Sequence, residues 1–304
     1  MSYESIRKRL GKEELILLDG GTGTEIERQG AKMNDVAWCG VAHVDKPDVV
    51  RRVHESYLAA GSDIIIANTF GTAPHVLSEL NLLEQSEEIN KVAVEIALQA
   101  RDNSGKDACV AASMSSMPAF NVPQVPDERK YFAGYQRMAE ILAEAGAELI
   151  VTEMMLDKKN ASMVVEAANS VDLPVWIGFS ASVNEKEKVM NFESGGNWDF
   201  DVMTFDDMAT SVLPIGCSAA GIMHTRVDHI NPALNELKQH WDGPLFAYAE
   251  SGHFVAPSWK FEEVISIEDY LVYAKQWRAG GAQIIGGCCG IGPEHIRCLK
   301  ENLQ

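Results

Sequence analysis

Residues 141–151, ILAEAGAELIV, contain the pattern that decides the fold. A helix-like stretch runs into a glycine, and an apolar β-type run follows at once. The glycine stands where a helix that ends in a left-handed turn favours a residue without a side chain. The apolar run does not alternate with polar residues, which is typical of a strand buried on both faces. The pattern recurs at 57–67, YLAAGSDIIIA, and at 277–286, WRAGGAQIIG. Helix followed by parallel strand is the unit of an α/β protein.

Eight apolar β-type runs are spaced along the chain, with helical stretches between them. Strands are predicted near 15–19, 63–68, 108–113, 148–153, 174–180, 219–224, 244–249 and 283–288. The clearest helices are predicted at 47–60, 84–102, 131–145, 160–169, 230–239 and 268–279. Eight strands with crossover helices in about 300 residues favour a (β/α)8 TIM barrel. We therefore expect one α/β domain over residues 1–304.

The alternative to a barrel is an open, doubly wound sheet. No Gly-x-Gly-x-x-Gly sequence follows any of the predicted strands, so a dinucleotide site has no support. Long βα loops are expected at 184–208 and 250–267.

Composition excludes several classes of function. The formal net charge of −18 argues against nucleic acid as a partner, because phosphates require a basic surface. No apolar run is long enough to span a membrane, and the N-terminal segment MSYESIRKRLGKEEL has no apolar signal region. The 6 cysteines, two of them adjacent, do not resemble a disulfide framework. A reducing cytoplasm is the expected location.

Polar and thiol side chains stand at the carboxyl ends of several predicted strands, where barrel enzymes carry their chemistry. These are Asp19 with Gly20, Gly21 and Thr22 after the first strand, Asn68 after the second, Glu153 after the fourth, His224 after the sixth, and Cys288 with Cys289 after the eighth. Such a set converging from separate strands is hard to explain by packing. It suggests a His-Cys-Cys zinc site with an open fourth position, and two carboxylates nearby for a polar substrate.

Each of these residues also has a plainer interpretation. Asp19 would then cap the glycine-rich turn that follows it, and His224 would be an ordinary hydrogen-bonded histidine. Adjacent buried thiols are often inert packing, although the glycines flanking Cys288 and Cys289 let the backbone approach an ion closely. Trp38 is either loop packing or a face for a cationic methyl group. The other four cysteines are expected to be structural, namely Cys39, Cys109, Cys217 and Cys298.

Over almost its whole length the chain resembles the homocysteine S-methyltransferase family, which includes betaine-, S-methylmethionine- and methylfolate-dependent members. The resemblance rests on residues 17–25 (LLDGGTGTE), 67–70 (ANTF), 147–153 (AELIVTE), and 286–290 (GGCCG) with 293–296 (PEHI) behind it. The family fold is a (β/α)8 barrel, in agreement with the strand count.

The resemblance implies a zinc ion held by three cysteines, two of which correspond to Cys288 and Cys289. The third normally lies in a Gly-[Ile/Val]-Asn-Cys motif, but here residues 221–224 read Gly-Ile-Met-His. His224 thus replaces a cysteine and Met223 an asparagine. Imidazole also binds zinc, and exchanging a thiolate for it makes the centre less negative by one charge. Residues 113–118, SMSSMP, depart from the family's usual Gly-Ser-x-Gly-Pro as well.

The implied activity is methyl transfer from a small sulfonium or quaternary ammonium donor, such as S-methylmethionine or betaine, to a thiol. The acceptor would be homocysteine and the product methionine. Asp19 and Glu153 match positions that hold the amino-acid end of homocysteine, with Trp38 and Phe70 expected to face the donor. Since the sequence has no cobalamin or folate modules, a free donor is expected. The alternative is a diverged member: a metal- or ligand-binding barrel, or a methyltransferase with another acceptor.

Overall fold

The computed structural model describes residues 3–117, 128–191, 203–255 and 258–304. The strands in these ranges are β1 (Ile16–Leu17), β2 (Ile64–Ala67), β3 (Cys109–Ser115), β4 (Leu149–Glu153), β5 (Val175–Phe179), β6 (Ala181–Val183), β7 (Val189–Asn191), β8 (Ala219–Arg226), β9 (Leu245–Glu250), β10 (His253–Val255), β11 (Ser258–Lys260) and β12 (Ala282–Gly287). Eight of them form one parallel sheet in the order β1-β12-β9-β8-β5-β4-β3-β2. This sheet curls into a nearly closed barrel.

Helices surround the barrel. They are α1 (Tyr3–Leu10), α2 (Thr22–Arg28), α3 (Ala42–Asp45), α4 (Pro47–Ala60), α5 (Pro74–Glu79), α6 (Ser86–Ser104), α7 (Glu128–Glu144), α8 (Lys158–Ala168), α9 (Phe205–Val212), α10 (Ile230–Leu237), α11 (Ile267–Ala279) and α12 (Pro293–Leu303), with 3₁₀ turns at Leu83–Gln85 and Leu213–Ile215. In the described ranges, no helix has the length and apolar character needed to cross a membrane.

The predicted fold class is confirmed. All eight predicted strands are present in the barrel, and the six predicted helices correspond to α4, α6, α7, α8, α10 and α11. The glycines of the repeated pattern take left-handed conformations, with φ of 109° at Gly61, 100° at Gly146 and 103° at Gly281. The lack of a side chain at these positions is what lets each helix turn directly into the next strand.

The two predicted long βα loops each connect a barrel strand to the helix that follows it, and each contains additional structure. Strand β7 and the start of α9 lie within 184–208, and β7 pairs with β6 as an antiparallel hairpin. The second stretch, 250–267, contains the β10–β11 hairpin. Short antiparallel pairs give the backbone of a long segment its own hydrogen bonds. Residues 192–202 and 256–257, as well as Pro118 of the 113–118 segment, lie outside the described residues.

Two aspartates connect β1 and β2, the neighbouring strands that have no ladder between them in the described structure. The Leu17 N–H donates to Asp63 Oδ2 at 2.8 Å, and the Asp63 N–H donates to the Leu17 carbonyl at 2.7 Å. Nearer the carboxyl ends, the Ile66 N–H donates to Asp19 Oδ2 at 2.7 Å. Side-chain carboxylates therefore satisfy backbone groups that a ladder would otherwise pair.

Close contact between the loop after β1 and the loop after β12 completes the barrel at its carboxyl end. A Cβ atom added at Gly20 would lie 2.3 Å from the Ile291 carbonyl oxygen and 2.6 Å from the Tyr57 ring. The Gly21 N–H donates to the same carbonyl at 2.9 Å. The glycines after Asp19 are therefore required by the approach of two backbones.

We expect Gly20→Ala to lower the free energy of unfolding by about 1–3 kcal/mol, because the new methyl group meets a backbone oxygen that cannot move aside. Urea unfolding of parent and variant measures this difference. Gly11→Ala is the matched control, since its Cβ would meet its nearest neighbours at 3.5 and 3.6 Å. An unchanged urea midpoint in Gly20→Ala would contradict the packing role.

Candidate metal and thiol site

Most of the predicted site residues lie together at the carboxyl ends of the barrel strands. We call this open end of the barrel the mouth. Glu153 ends β4, His224 lies near the end of β8, and Cys288 directly follows β12. All three side chains are buried, with exposed fractions of 5%, 9% and 4%. Burial of this many ionisable groups is costly unless they pair with one another or with a ligand.

His224 is positioned by an irregularity in β8. The pairing register between β8 and β9 shifts between Met223 and Thr225, and His224 takes a left-handed φ of 46°. A residue with a side chain in this conformation carries strain of about 1–3 kcal/mol, which persists only where the surroundings enforce it. Met223 is fully buried against Gly178, where an added Cβ would lie 2.2 Å from the Met223 sulfur. The bulge thus places methionine in the core and the imidazole in the mouth.

A continuous hydrogen-bond chain connects the three groups. His224 Nε2 lies 2.8 Å from Glu153 Oε2, and His224 Nδ1 lies 3.1 Å from Cys288 Sγ. Because a carboxylate only accepts, Nε2 carries the proton and donates to Glu153. The sulfur of Cys289 lies 3.7 Å from that of Cys288.

The hydrogen-bond chain changes the ionisation of its members. Burial alone raises the pKa of the Cys288 thiol, but a hydrogen bond from Cys289 and the charge and hydrogen bond of His224 lower it to about 5. Burial lowers the pKa of His224, yet Cys288 and Glu153 together raise it well above its usual value. The hydrogen bond to Cys288, together with burial, raises the pKa of Cys289. These directions favour the thiolate at Cys288, the protonated ring at His224 and the neutral thiol at Cys289.

A further carboxylate in this mouth belongs to Glu250, the last residue of β9, which was not among the residues predicted from the sequence. Ligand atoms of His224, Glu250 and Cys288 all lie within 4.8 Å of one another. Burial, together with the Cys288 charge, raises the pKa of Glu250 to about 7. The strand-end rule that singled out Glu153 would have found Glu250 as well, since it follows the apolar run of the seventh strand.

Nitrogen, sulfur and oxygen donors at this spacing can hold a metal ion, and the mixture is typical of zinc. Two of the predicted ligands, His224 and Cys288, belong to this close group. The third, Cys289, is adjacent but lies outside the set of mutually close atoms. Its role as a ligand stays a prediction.

Asp19 is fully buried, and each of its carboxylate oxygens has a protein partner. Besides the bond from Ile66, Asp19 Oδ1 lies 3.2 Å from the Tyr248 hydroxyl, which also lies 2.9 Å from the Gly20 carbonyl oxygen. Burial raises the pKa of Asp19 well above its usual value, although both hydrogen bonds oppose the shift. The carboxylate therefore connects β1 with β2 and β9 rather than capping its own turn.

The remaining predicted residues lie around these groups. Asn68 donates to the Cys39 carbonyl at 2.8 Å, and the Trp38 ring packs against Gly23. The Thr22 hydroxyl oxygen is buried and has no hydrogen-bond partner in the described part of the chain. The Phe70 ring lies 5.4 Å from the His224 ring, centroid to centroid.

Phe70 also packs against a small apolar cluster, separate from the main core, that consists of Met117, Met154 and Leu156. We call this cluster the methionine wall. Thioether side chains are flexible and polarisable, so they adapt to ligands of irregular shape.

The four cysteines expected to be structural make no contribution to the close group. All six cysteines are free thiols in the structure. Cys39 and Cys109 are buried, and burial raises the pKa of both thiols.

Comparison with known proteins gives one consistent family. The family model for homocysteine S-methyltransferase matches residues 16–303. Homocysteine S-methyltransferase 2 of Zea mays is 30% identical over 319 residues, which cover 95% of this chain and 90% of the maize protein. Selenocysteine Se-methyltransferase of Brassica oleracea var. italica is 28% identical, with 94% of this chain and 88% of that protein covered. The metallated form of the homocysteine methyltransferase MmuM from Escherichia coli shares the fold, with a TM-score of 0.76, 24% identity, and coverage of 97% and 99%.

We expect Glu153→Gln to weaken metal binding about 10- to 100-fold, because the carboxylate behind a histidine ligand orients the ring and raises its basicity. Competition with a coloured chelator measures the dissociation constant. Glu166→Gln, at an exposed position of α8, is the control and should bind metal like the parent. Equal affinity in Glu153→Gln and the parent would show that the Glu153–His224 contact does not support a ligand.

Proposed function

The chain belongs to the homocysteine S-methyltransferase family, and from this premise we propose that it moves a methyl group from a small sulfonium or quaternary ammonium donor to homocysteine. The product is methionine. The observation that carries the proposal is the buried Glu153–His224–Cys288 chain, which holds a thiolate and an oriented imidazole at the carboxyl end of the barrel.

Zinc is the metal we propose for this site. His224 and Cys288 would hold it, and Cys289 is the third ligand that the sequence predicts. When bound, zinc would supply Lewis acidity that favours loss of the acceptor's thiol proton and keeps the thiolate in place. Glu153 accepts from Nε2 of His224 and so fixes the orientation of the ring, and Nδ1 would coordinate the metal after losing its proton.

We propose that the mouth holds homocysteine by its amino-acid end. Glu153 uses one oxygen for His224, and a carboxylate has a second oxygen that can accept from an ammonium group. The buried, unpartnered Thr22 hydroxyl is a further contact for the same end. Asp19 would support this end from behind, since both of its oxygens already have protein partners. Asn68 would fix the loop around Cys39 beside the acceptor.

The donor would lie on the side of Phe70 and the methionine wall. An aromatic face attracts a sulfonium or quaternary ammonium centre, and the neighbouring thioethers allow a close fit. Phe70 lies beside the His224 ring, so a donor on this face would have its methyl group near the acceptor sulfur. Holding both partners in line lowers the barrier to transfer. Trp38, whose ring packs against Gly23, would also face the donor.

A second candidate is methyl transfer to another acceptor. The observation that favours it is the imidazole of His224 at a position where the family motif has a thiolate, which changes the charge of the centre. The curated relative from Brassica oleracea is called a selenocysteine Se-methyltransferase, so selenocysteine belongs in any test of acceptors.

We also propose that residues 1–304 form a single barrel domain and that the protein works in the cytoplasm. The continuous eight-stranded sheet supports the single domain. The six free cysteines support a reducing location.

We expect zinc-loaded protein to convert homocysteine and a deuterated-methyl donor, either S-methylmethionine or betaine, into labelled methionine. Mass spectrometry detects the label in the product. His224→Ala and Cys288→Ser should each lower kcat/KM about 100-fold or more, equal to roughly 2.7 kcal/mol of transition-state stabilisation.

Cys298→Ser is the matched control, since this thiol lies on α12 outside the site and its loss should leave kcat/KM unchanged. If no labelled methionine forms with any donor while selenocysteine is methylated, the second candidate replaces homocysteine. If neither acceptor is methylated, the chain is a binding barrel.

A further inference from the structure

We propose that the helices on the outside of the barrel carry a metal site separate from the mouth, formed by Asp206, Glu236 and His240 and suited to a divalent transition-metal ion such as Zn²⁺. Asp206 lies in the first turn of α9, Glu236 in the last turn of α10, and His240 in the turn that follows α10. We call this group the α9–α10 site. It shares no residue with the mouth, and it does not depend on the proposed reaction.

The three side chains of the α9–α10 site converge. One ligand atom from each of Asp206, Glu236 and His240 lies within 4.8 Å of the other two, so a single ion can reach all three. His240 Nε2 lies 3.1 Å from Asp206 Oδ1. Imidazole and carboxylate both bind zinc, and at the bond lengths of zinc two ligand atoms of one ion lie about 3 Å apart. The observed spacing is therefore that of two ligands of one ion.

The backbone places Glu236 and His240 on the same side of α10. The Gln239 N–H donates to the Glu236 carbonyl and the His240 N–H donates to the Leu237 carbonyl, both at 3.0 Å. The helical turn thus continues past the end of α10. Residues four positions apart in such a turn lie on one face, so the carboxylate and the imidazole point toward the same space.

The first turn of α9 gives its two neighbouring aspartates different roles. The Thr204 hydroxyl accepts from the Asp207 N–H at 3.1 Å and donates to Asp207 Oδ2 at 2.7 Å. Asp207 is thus occupied in the helix cap. The carboxylate of Asp206 instead faces His240 beyond α10.

The contact between Asp206 and His240 is not an ordinary hydrogen-bonded ion pair. His240 Nε2 is buried and makes no hydrogen bond in the part of the chain that the structure describes, although Asp206 Oδ1 lies only 3.1 Å away. A hydrogen bond requires the N–H to point at the oxygen, so at this distance it is the alignment that fails. Two ligands of one ion have this relation, because each directs its lone pair at the metal. An ion would also give the buried ring nitrogen the partner that it lacks.

A cation also balances the local charge. Asp206 and Glu236 bring two carboxylates close together in a chain whose formal net charge is −18. Like charges at this spacing repel each other, and a divalent ion between them neutralises both. The Asp206 side chain is 56% exposed, so an ion can enter from solvent and water can complete its coordination.

The α9–α10 site connects the two helices that flank β8 in the chain. Helix α9 precedes β8 and α10 follows it, and β8 carries His224 at its bulge. An ion held by both helices closes the segment 206–240 into a loop. A metal bridge that closes a long loop stabilises the fold, because it restricts the unfolded chain. The ion would therefore stabilise the part of the barrel that positions His224.

The zinc content of the full chain tests the proposal. The parent and Cys288→Ser, in which the mouth is altered, are stripped with a chelator, dialysed against Zn²⁺ and measured by mass spectrometry. We expect His240→Ala to remove one zinc ion per chain from both backgrounds, and Asp206→Asn to lower the zinc content in the same way. The affinity of the site should fall at least about 100-fold in His240→Ala, because the loss of even an outer partner of a ligand costs about 10- to 100-fold.

His253→Ala is the matched control. His253 also faces a carboxylate, with Nδ1 3.3 Å from Glu263 Oε2, but it belongs to no group of three possible ligands in the described ranges. Its loss should leave the zinc content unchanged. Far-ultraviolet circular dichroism confirms that each variant is folded. A zinc content that His240→Ala leaves unchanged, or an equal loss of zinc in His253→Ala, would overturn the proposal.

Thermal unfolding gives a second readout. An ion that binds only the folded site raises the Tm, so the rise on adding Zn²⁺ should be smaller in His240→Ala than in its background. An equal rise in both would contradict the α9–α10 site.

The assay of labelled methionine is run on the same preparations to separate this proposal from the proposed reaction. If the parent makes methionine but His240→Ala keeps every zinc ion, only the α9–α10 site fails. If His240→Ala loses one zinc ion but the parent makes no methionine, only the proposed reaction fails.

Discussion

The contact between His224 Nδ1 and Cys288 Sγ is the interaction on which the site depends. It exists because β8 carries a bulge that turns His224 into a left-handed conformation and sends the neighbouring Met223 into the core. Glu153 then holds the far side of the imidazole, so the ring has one orientation. Removing the bulge would return His224 to the regular alternation of the strand, and the imidazole would leave the mouth.

The rest of the barrel keeps this contact in place. Cys288 follows β12, and its loop is fixed on one side by hydrogen bonds to residues 249 and 251 and on the other by close contact with Gly20 and Gly21. Thr24 adds a further connection, because its hydroxyl lies 3.1 Å from the Gly290 N–H. Glycines at 20, 21 and 290 are therefore part of the site even though they carry no chemistry of their own. Asp19 belongs to the same support, since it connects three strands beneath the mouth.

Much of this could be predicted from the sequence because the signals are local. Each barrel strand is a short apolar run, and each left-handed glycine stands at a recognisable helix end, so the fold followed from pattern alone. Glu153, His224 and Cys288 were also predicted as site residues, because each lies at the carboxyl end of a predicted strand. The partners of Asp19 could not be predicted in this way, because Tyr248 lies 229 residues away in sequence. The bulge at His224 arises from the register of β8 against β9, which no single segment specifies. Glu250 also lies at a strand end, so the same reasoning could have predicted it, but it was overlooked.

X-ray diffraction at the zinc absorption edge, from crystals of zinc-loaded protein with homocysteine, tests whether His224 and Cys288 hold the metal. We expect one strong anomalous peak within bonding distance of both His224 Nδ1 and Cys288 Sγ, with the homocysteine sulfur beside it. A peak elsewhere on the molecule, or a site that stays without zinc while the His224–Cys288 contact is intact, would contradict it.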